Sequence, residues 1–221
     1  YSKTGRIVCM GEKVILFDLW GTLVENGTYS PMRQTYKALR PRLRFGDFVQ
    51  KFEEAFMLQE YESQDEAFDA ACKALNVESK KFITDKLIGL WNKNRLLSKM
   101  YQETLPVLED LRTTHKVVIV SNSDCFVKSV IEKFELADKV DGIYLSCDTG
   151  KLKTDGSLIL HALEQIGGSP EDALMVGDSI ETDIKGAEKA GVRSVLIDRR
   201  DKRVYDPKIT NLTQVRGELD D

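Results

Sequence analysis

From residue 104 onward, the chain alternates short, unbroken apolar runs with amphipathic segments of about a dozen residues. The apolar runs are too short for buried helices and are rich in β-branched residues, so they indicate strands buried on both faces. Strands that alternate with helices in this way form parallel βαβ units, which place helices on both sides of a sheet. The sequence therefore predicts an α/β fold built on a doubly wound parallel sheet. The strands predicted here are 116–122, 142–146, 173–177 and, as the last one, 195–197.

A separate apolar run near the N-terminus, Val14 to Phe17, predicts one more strand of the same sheet. Turn-forming residues between Val24 and Pro31 then interrupt the alternation, and apolar residues recur at helical spacing. We expect helices there, with Asn76 ending one helix and Ser79 capping the start of the next. The three apolar stripes are Phe45, Phe48, Val49, Phe52 and Phe56; Phe68, Ala71, Cys72 and Leu75; and Ile83, Leu87, Leu90 and Trp91.

The helical stretch divides the predicted sheet into two parts along the chain. We assign residues 10–27 and 98–221 to an α/β core domain, and residues 28–97 to an inserted helical subdomain. Residues 1–9 fit no part of the pattern, so Met10 is a candidate for the natural start of the chain.

The charge balance limits the partners that the protein can have. With 36 acidic residues against 32 lysines and arginines, the formal net charge is -4, and no basic excess attracts nucleic acid or an anionic membrane. No apolar run approaches the ~20 residues of a membrane span. We expect a cytoplasmic monomer or homodimer without nucleic-acid or membrane partners. The cysteines lie far apart, without zinc-site spacing, and are predicted to be buried thiols. They are Cys9, Cys72, Cys125 and Cys147.

Polar side chains follow several of the predicted strands, at the edge where open α/β sheets bind their ligands. Carboxylates gathered in one crevice repel each other, and such clusters persist mostly where a divalent cation lies among them. Oxygen ligands without His or Cys favour Mg²⁺, and a nearby lysine and serine would hold an anion. These strand-end residues are Asp18, Thr22, Ser121, Asn122, Lys153, Asp178 and Asp183.

The same residues match four motifs in order: Asp18-Leu19-Trp20-Gly21-Thr22, Ser121-Asn122, Lys153-Thr154, and Asp178 with Asp183. In these motifs the chain resembles the haloacid dehalogenase superfamily of hydrolases, whose members are mostly phosphatases. The resemblance runs from Val14 to about Asp198 and includes a helical cap inserted after the first strand. It implies a Rossmann-like core, with residues 28–97 as the cap.

The resemblance implies that Asp18 attacks phosphorus and forms an aspartyl-phosphate, which water then hydrolyses. Lys153 and Ser121 would stabilise the transferring phosphoryl group. Mg²⁺ would be bound through Asp18, Asp178 and the backbone carbonyl of Trp20, with Asp183 orienting water or Lys153. The implied catalytic residues are Asp18, Thr22, Ser121 and Lys153; those for substrate binding are Ser121, Asn122 and Lys153; and those for the metal are Asp18, Trp20, Asp178 and Asp183.

One position departs from the phosphatase pattern. Phosphatases of this family carry a second aspartate two residues after the nucleophile, as general acid and then general base, and here that position is Trp20. An indole side chain can neither donate a proton as a general acid nor accept one as a general base. General acid–base catalysis typically increases the rate by about 10²–10⁴-fold. We therefore expect a Mg²⁺-dependent phosphatase of a small phosphorylated metabolite with weak acid–base power. Leaving groups that need no proton should be affected least.

Two other enzyme classes of the family also lack that aspartate. A 2-haloacid dehalogenase fits Trp20 because halide leaves unprotonated, and Arg33 is available as its cap arginine. Such enzymes work without metal, however, and their tyrosine after the third motif has no counterpart here. A phosphonate hydrolase needs a cap lysine that forms an imine, and the sequence does not single one out. The cap lysines considered are Lys37, Lys51 and Lys73.

A third hypothesis is a binding or regulatory protein that holds Mg²⁺ and a phosphorylated ligand with little turnover. In that case the arginines at positions 40, 42 and 44 could contact an anion or a partner protein. Their alternative role is a solvated linker between two cap helices.

Overall fold

The structure, a computed structural model, describes residues 13–219 of the chain. Its strands are β1 (Val14–Phe17), β2 (Val24–Glu25), β3 (Lys99–Met100), β4 (Lys116–Ser121), β5 (Gly142–Leu145), β6 (Ala173–Gly177), β7 (Arg193–Ile197) and β8 (Lys208–Ile209). Its α-helices are α1 (Pro31–Leu39), α2 (Phe45–Phe56), α3 (Gln64–Ala74), α4 (Lys81–Leu97), α5 (Thr104–Leu111), α6 (Lys128–Lys133), α7 (Ser146–Thr149), α8 (Ser157–Ile166) and α9 (Lys185–Lys189). A π-helical turn, Ile180–Ile184, precedes α9.

Six strands form one sheet in the order β5-β4-β1-β6-β7-β8. Every neighbouring pair in it is parallel, and β1 lies between β4 and β6, with Phe17 opposite Ile119 and Val176. The chain therefore runs outward from β1 in both directions, which confirms the predicted doubly wound α/β sheet. The carboxyl ends of β1, β4 and β6 lie side by side at one edge.

Strand β1 reads as an unbroken apolar run because both of its faces are covered. Ile15 and Phe17 belong to one apolar cluster of the core, and Val14 and Leu16 belong to the cluster on the other side of the sheet. All four side chains are almost fully buried. A residue that directly follows such a strand is thus delivered to the sheet edge from the centre of the molecule.

The helices α1 to α4 pack around a separate, largely aromatic cluster. The rings of Phe52 and Phe56 stack with centroids 4.8 Å apart, and Trp91 lies 5.1 Å from Phe56. The indole nitrogen of Trp91 donates to the buried hydroxyl of Thr35 at 3.0 Å. These helices supply all the regular structure between residues 28 and 97, as expected from the stripes. The exact division between core and cap remains a prediction.

The structure corrects three local predictions. The last strand is β8 rather than 195–197, and the turn after Val24 contains β2, which pairs with β3. Strands of two residues carry no period-2 signal, so the sequence could not reveal them. Ser79 is not the N-cap of α4; that position is Lys80, and the hydroxyl of Ser79 bonds to Asp69 instead.

Cysteine burial differs from the prediction at one position. Cys72 and Cys147 are buried free thiols, as expected, whereas Cys125 is only half-buried. Cys9 and Met10 lie outside the described residues. Within residues 13–219, no helix combines the length and the apolar character needed to span a bilayer.

Candidate active site

Asp18 directly follows β1, and its backbone continues the ladder of the sheet. Its amide donates to the carbonyl of Val176 in β6 at 2.9 Å, which fixes the start of the turn after β1. The side chain of Asp18 is only 8% exposed. A carboxylate is therefore held at the sheet edge with little water around it, and burial raises its pKa above the ordinary range, although Lys153 opposes this.

Lys153 is the buried cation of this edge. Its side chain is 2% exposed, and its ammonium donates to Asp18 and, at 2.5 Å, to Asp183. Burial works to lower the pKa of Lys153, but the two carboxylates outweigh it and raise that pKa. Lys153 therefore stays charged and partly neutralises the acids that it contacts.

Three carboxylates meet beside Lys153. Oxygens of Asp18, Asp178 and Asp183 all lie within 4.8 Å of one another. Burial, and then repulsion from Asp183, raises the pKa of Asp178. One lysine cannot balance three ionised acids, so the donor set fits a hard divalent cation such as Mg²⁺. Sequence reasoning placed these acids at one edge, and the structure brings them together.

The turn after β6 places the two later acids. Asp183 lies in the π-helical turn, where the Ser179 hydroxyl caps the start by accepting from the Thr182 amide at 3.3 Å. The second carboxylate oxygen of Asp183 accepts from the Ser179 amide at 2.9 Å. A side chain at Gly177 would overlap Asp183, so the glycine makes this close approach possible. π-helical turns often occur at functional sites.

The turn after Asp18 contains Trp20, Gly21 and Thr22. Gly21 has a positive φ of 79°, and a Cβ on it would overlap the carboxylate of Asp178. Trp20 is half-buried and packs against the core cluster. Thr22 is buried, and its hydroxyl is the one buried side-chain polar atom without a hydrogen-bond partner in residues 13–219. That hydroxyl remains available to a bound group.

Arg199, which the sequence analysis did not identify, stabilises this turn through hydrogen bonds to its backbone. Its guanidinium donates to the carbonyl of Gly21 at 3.2 Å and to that of Thr22 at 2.5 Å. It also pairs with Glu103 at 2.6 Å and lies over the ring of Tyr101. An arginine in a loop 178 positions after Gly21 carries no local signal that would connect it to this turn.

Ser121 and Asn122 end β4 at the same edge. The Ser121 hydroxyl is buried and hydrogen-bonds to that of Ser123 at 2.8 Å. The Asn122 side-chain oxygen accepts from the backbone amide of Lys153 at 2.8 Å, which orients the loop that carries the lysine. The predicted anion-binding residues thus lie beside the acids.

The cap contributes a second residue that sequence reasoning missed, Glu53 of α2. Its carboxylate accepts from the Asn122 side chain at 3.0 Å, and the residue is 7% exposed. Burial raises the pKa of Glu53 to about 7, although hydrogen bonds from Asn122 and Thr154 oppose the shift. In the sequence, Glu53 directly follows Phe52 of the apolar stripe. This position places it next to the buried face of the helix, and it was the one feature from which its burial could have been predicted.

The cap residues considered for the alternative chemistries lie elsewhere. Arg33 is exposed, and its guanidinium lies 4.5 Å from the ring centroid of Phe45. The lysines considered for an imine are exposed on the cap helices; they are Lys37, Lys51 and Lys73. The three arginines between α1 and α2 are exposed as well, as expected for a solvated linker; they are Arg40, Arg42 and Arg44.

Comparison with known proteins identifies the family. The family model of haloacid dehalogenase-like hydrolases matches residues 12–191, which include the acids, Ser121 and Lys153. The chain belongs to this family. The resemblance expected from the four motifs is thereby confirmed, and so is the assignment of the protein as a haloacid dehalogenase-like hydrolase.

Its relatives include phosphatases. The chain is 28% identical over 116 residues to the N-acylneuraminate-9-phosphatase of Rattus norvegicus, covering 52% of this chain and 47% of the rat protein. It is 26% identical over 219 residues to the glyceraldehyde 3-phosphate phosphatase of Pyrococcus furiosus, covering 92% and 91%. The chain spans about half the length or less of the first curated relatives it matches.

Solved structures share the fold of this haloacid dehalogenase-like hydrolase. A haloacid dehalogenase-like phosphatase from Thermococcus onnurineus superposes with a TM-score of 0.62 at 24% identity, covering 94% of this chain and 97% of that one. At this identity the similarity establishes the Rossmann-like α/β fold with its helical insertion. It does not identify the substrate, which has to be inferred from the residues of the site.

Proposed function

We propose that the protein is a Mg²⁺-dependent phosphatase that hydrolyses a small phosphorylated metabolite through an aspartyl-phosphate on Asp18. The observation that carries this proposal is the meeting of three carboxylates at one sheet edge, where the buried Asp18 and Asp183 bond to the ammonium of Lys153 and the half-buried Asp178 lies beside them. Such a site binds a divalent cation and a phosphate together, because each charge offsets the other. The phosphatase relatives support the same reaction class.

In the proposed reaction each residue of the site has a separate role. An oxygen of Asp18 attacks phosphorus in line with the departing oxygen, and the P–O bond to the substrate breaks. Lys153 and Ser121 donate to the phosphoryl oxygens, and Asn122 keeps the Lys153 loop in place. Water then attacks the aspartyl-phosphate and releases inorganic phosphate, which restores Asp18.

A bound Mg²⁺ would neutralise charge that develops on the phosphoryl oxygens. The residues that would hold it are Asp18, Asp178 and the backbone carbonyl of Trp20, since that carbonyl does not depend on the side chain. Asp183 is bonded to Lys153 and to the Ser179 amide, so its proposed part is to orient Lys153 and water beside the ion. Thr22 belongs to the proposed site through its unpartnered hydroxyl.

The test is hydrolysis of p-nitrophenyl phosphate by the whole chain with and without Mg²⁺. We expect turnover that requires the metal, that Asp18→Asn abolishes, and that Asp178→Asn makes dependent on much higher Mg²⁺ concentrations. Asp85→Asn, at an exposed ion pair of α4, serves as the matched control and should behave like the wild type. Turnover that survives Asp18→Asn, or that ignores Mg²⁺, would contradict the proposal.

A second candidate, a 2-haloacid dehalogenase, is favoured by Trp20 alone. The same protein incubated with 2-chloropropionate distinguishes the two, because chloride release without metal would identify a dehalogenase. A third outcome, binding of inorganic phosphate with Mg²⁺ but no turnover of either substrate, would identify a binding or regulatory protein. The position of Arg33 over Phe45, away from the acids, gives the dehalogenase no support.

A further inference from the structure

Glu53 is a buried carboxyl group that the cap contributes to a site otherwise built from the core. It lies in the middle of α2, one residue after Phe52 of the aromatic cluster. Its neighbour Glu54 is exposed and accepts a hydrogen bond from Gln50 of the same helix, as glutamates of surface helices commonly do. Burying an ionised carboxylate is costly, so the position of Glu53 requires an explanation.

The groups that Glu53 contacts are neutral. Asn122 donates to its carboxylate at 3.0 Å, and the Thr154 hydroxyl is its other hydrogen-bonding neighbour. The nearest charges face it from the core: Lys153 favours the ionised form, and Asp183 disfavours it. Burial disfavours the ionised form of Glu53, and the neutral donors and the more distant Lys153 offset this only in part, so its pKa is raised to about 7.

Asn122 connects Glu53 to the reacting groups. One end of its amide donates to Glu53, and the other end accepts from the Lys153 backbone, whose side chain reaches Asp18. Glu53 therefore sits on the cap side of the nucleophile. In an in-line displacement the leaving oxygen departs on the side of phosphorus opposite the attacking oxygen. Because Asp18 attacks from the sheet edge, the leaving group points toward the cap.

We infer that Glu53 is the proton-transfer group of the reaction, in place of the aspartate that Trp20 replaces. As Asp18 bonds to phosphorus and the P–O bond to the substrate breaks, protonated Glu53 gives its proton to the departing oxygen, which leaves as an alcohol. In the second step water attacks the aspartyl-phosphate and gives a proton to the Glu53 carboxylate. Phosphate and the Asp18 carboxylate are released, and Glu53 is protonated again. This role rests on the proposed phosphatase function.

The pKa of Glu53 suits both steps. A general acid–base group works best when its pKa lies near the working pH, since it must give a proton in one step and accept one in the next. Trp20 can do neither, whereas a carboxyl group with a pKa of about 7 is populated in both forms at neutral pH. The acid–base function has thus moved from the turn after β1 to the cap.

The test compares Glu53→Gln with the matched control Glu54→Gln in the full chain with Mg²⁺. Glutamine keeps an oxygen that accepts from Asn122 but carries no titratable proton, so a merely structural contact should survive the change. Two substrates separate the steps: glycerol phosphate, whose alkoxide must be protonated, and p-nitrophenyl phosphate, whose nitrophenolate leaves without a proton. Melting temperatures of both variants verify the fold.

We expect Glu53→Gln to lower kcat/KM for glycerol phosphate by about 100-fold or more. With p-nitrophenyl phosphate it should give a stoichiometric burst of nitrophenolate followed by slow turnover, because the first step needs no acid while the second lacks its base. In the wild type, turnover of glycerol phosphate relative to p-nitrophenyl phosphate should fall as the pH rises through about 7. This last readout does not depend on how any variant folds.

The two proposals fail in different ways. If the wild type shows no Mg²⁺-dependent turnover, or if Asp18→Asn retains it, the phosphatase function is wrong and the role of Glu53 with it. If those controls hold but Glu53→Gln behaves like Glu54→Gln, or slows both substrates equally without a burst, only the role of Glu53 is overturned.

Discussion

Arg95 and Asp124 form a buried ion pair, with the guanidinium nitrogen 3.2 Å from the carboxylate oxygen. Arg95 lies in the last turn of α4, where the chain leaves the cap region, and Asp124 follows β4 in the core. Both side chains are less than a tenth exposed. The Asp124 carboxylate also accepts from the Phe126 amide at 2.9 Å. This pair therefore holds the cap against the loop that follows β4, next to Ser121 and Asn122.

Removing one partner of this pair should destabilise the protein strongly. Arg95→Met leaves Asp124 buried without its cation, which typically lowers the free energy of unfolding by about 3–5 kcal/mol. Adding Asp124→Asn to that variant removes the uncompensated charge, so the double variant should be more stable than the sum of the single effects predicts. Urea denaturation measures each value. The control is Lys185→Met, which removes an exposed ion pair within one helix. It should lower the free energy of unfolding by less than about 1 kcal/mol.

A second prediction concerns the turn after the nucleophile. Gly21→Ala forces a Cβ into the positive-φ region and against the carboxylate of Asp178. We expect a loss of about 1–2 kcal/mol from the backbone alone and a weaker Mg²⁺ affinity, because Asp178 must move. Gly46→Ala in α2 has open space around it and should stabilise the protein slightly. Thermal unfolding and Mg²⁺ titration by calorimetry check both; a variant at Gly21 with normal Mg²⁺ affinity would contradict the geometry.

The sequence predicted most of the fold because its strongest signals are periodic. The buried runs at β1, β4 and β6 are apolar on both faces of the sheet, which is typical of parallel strands covered by helices on each side. Strands β2, β3 and β8 span two residues each and could not be found in this way. Ser79 failed as an N-cap because the chain turns one residue later, which a single sequence does not determine.

The site was predicted where its residues follow strands, and missed where they come from other elements. Asp18 and Asp178 were expected at one sheet edge because parallel strands end there together. Arg199 approaches from a loop distant in sequence, and Glu53 from a helix whose orientation to the core depends on packing between two apolar clusters. Such tertiary placement leaves no periodic trace in the chain.

Trp20→Asp tests whether proton transfer limits the reaction. An aspartate at this position would sit in the turn after Asp18. Because Glu53 already transfers the proton in the wild type, we expect Trp20→Asp alone to change turnover of glycerol phosphate little, but to raise that of the Glu53→Gln variant by about 10-fold or more. Trp20→Asn removes the same contacts with the core cluster without adding an acid, and should not raise it. In a Trp20→Asp background, Glu53→Gln should have a smaller effect than in the wild type, because the two acids would replace each other. If the double variant is no faster than Glu53→Gln, while Asp18→Asn abolishes turnover, our account of the proton transfer is contradicted.

The buried carboxyl of Glu53 should also make the stability of the protein depend on pH. Its pKa is about 7 in the folded protein, against an ordinary value of 4.5, so the folded state binds one proton more than the unfolded state between these two values. The free energy of unfolding therefore falls as the pH rises through this window, by on the order of 3 kcal/mol from this group. Glu53→Gln removes the titrating group, so the free energy of unfolding of this variant should depend less on pH between these two values. The curve of Glu54→Gln should run parallel to that of the wild type. Urea denaturation between pH 4 and pH 8 without divalent cations measures the three curves. Parallel curves for the wild type and Glu53→Gln would show that Glu53 keeps an ordinary pKa in the fold.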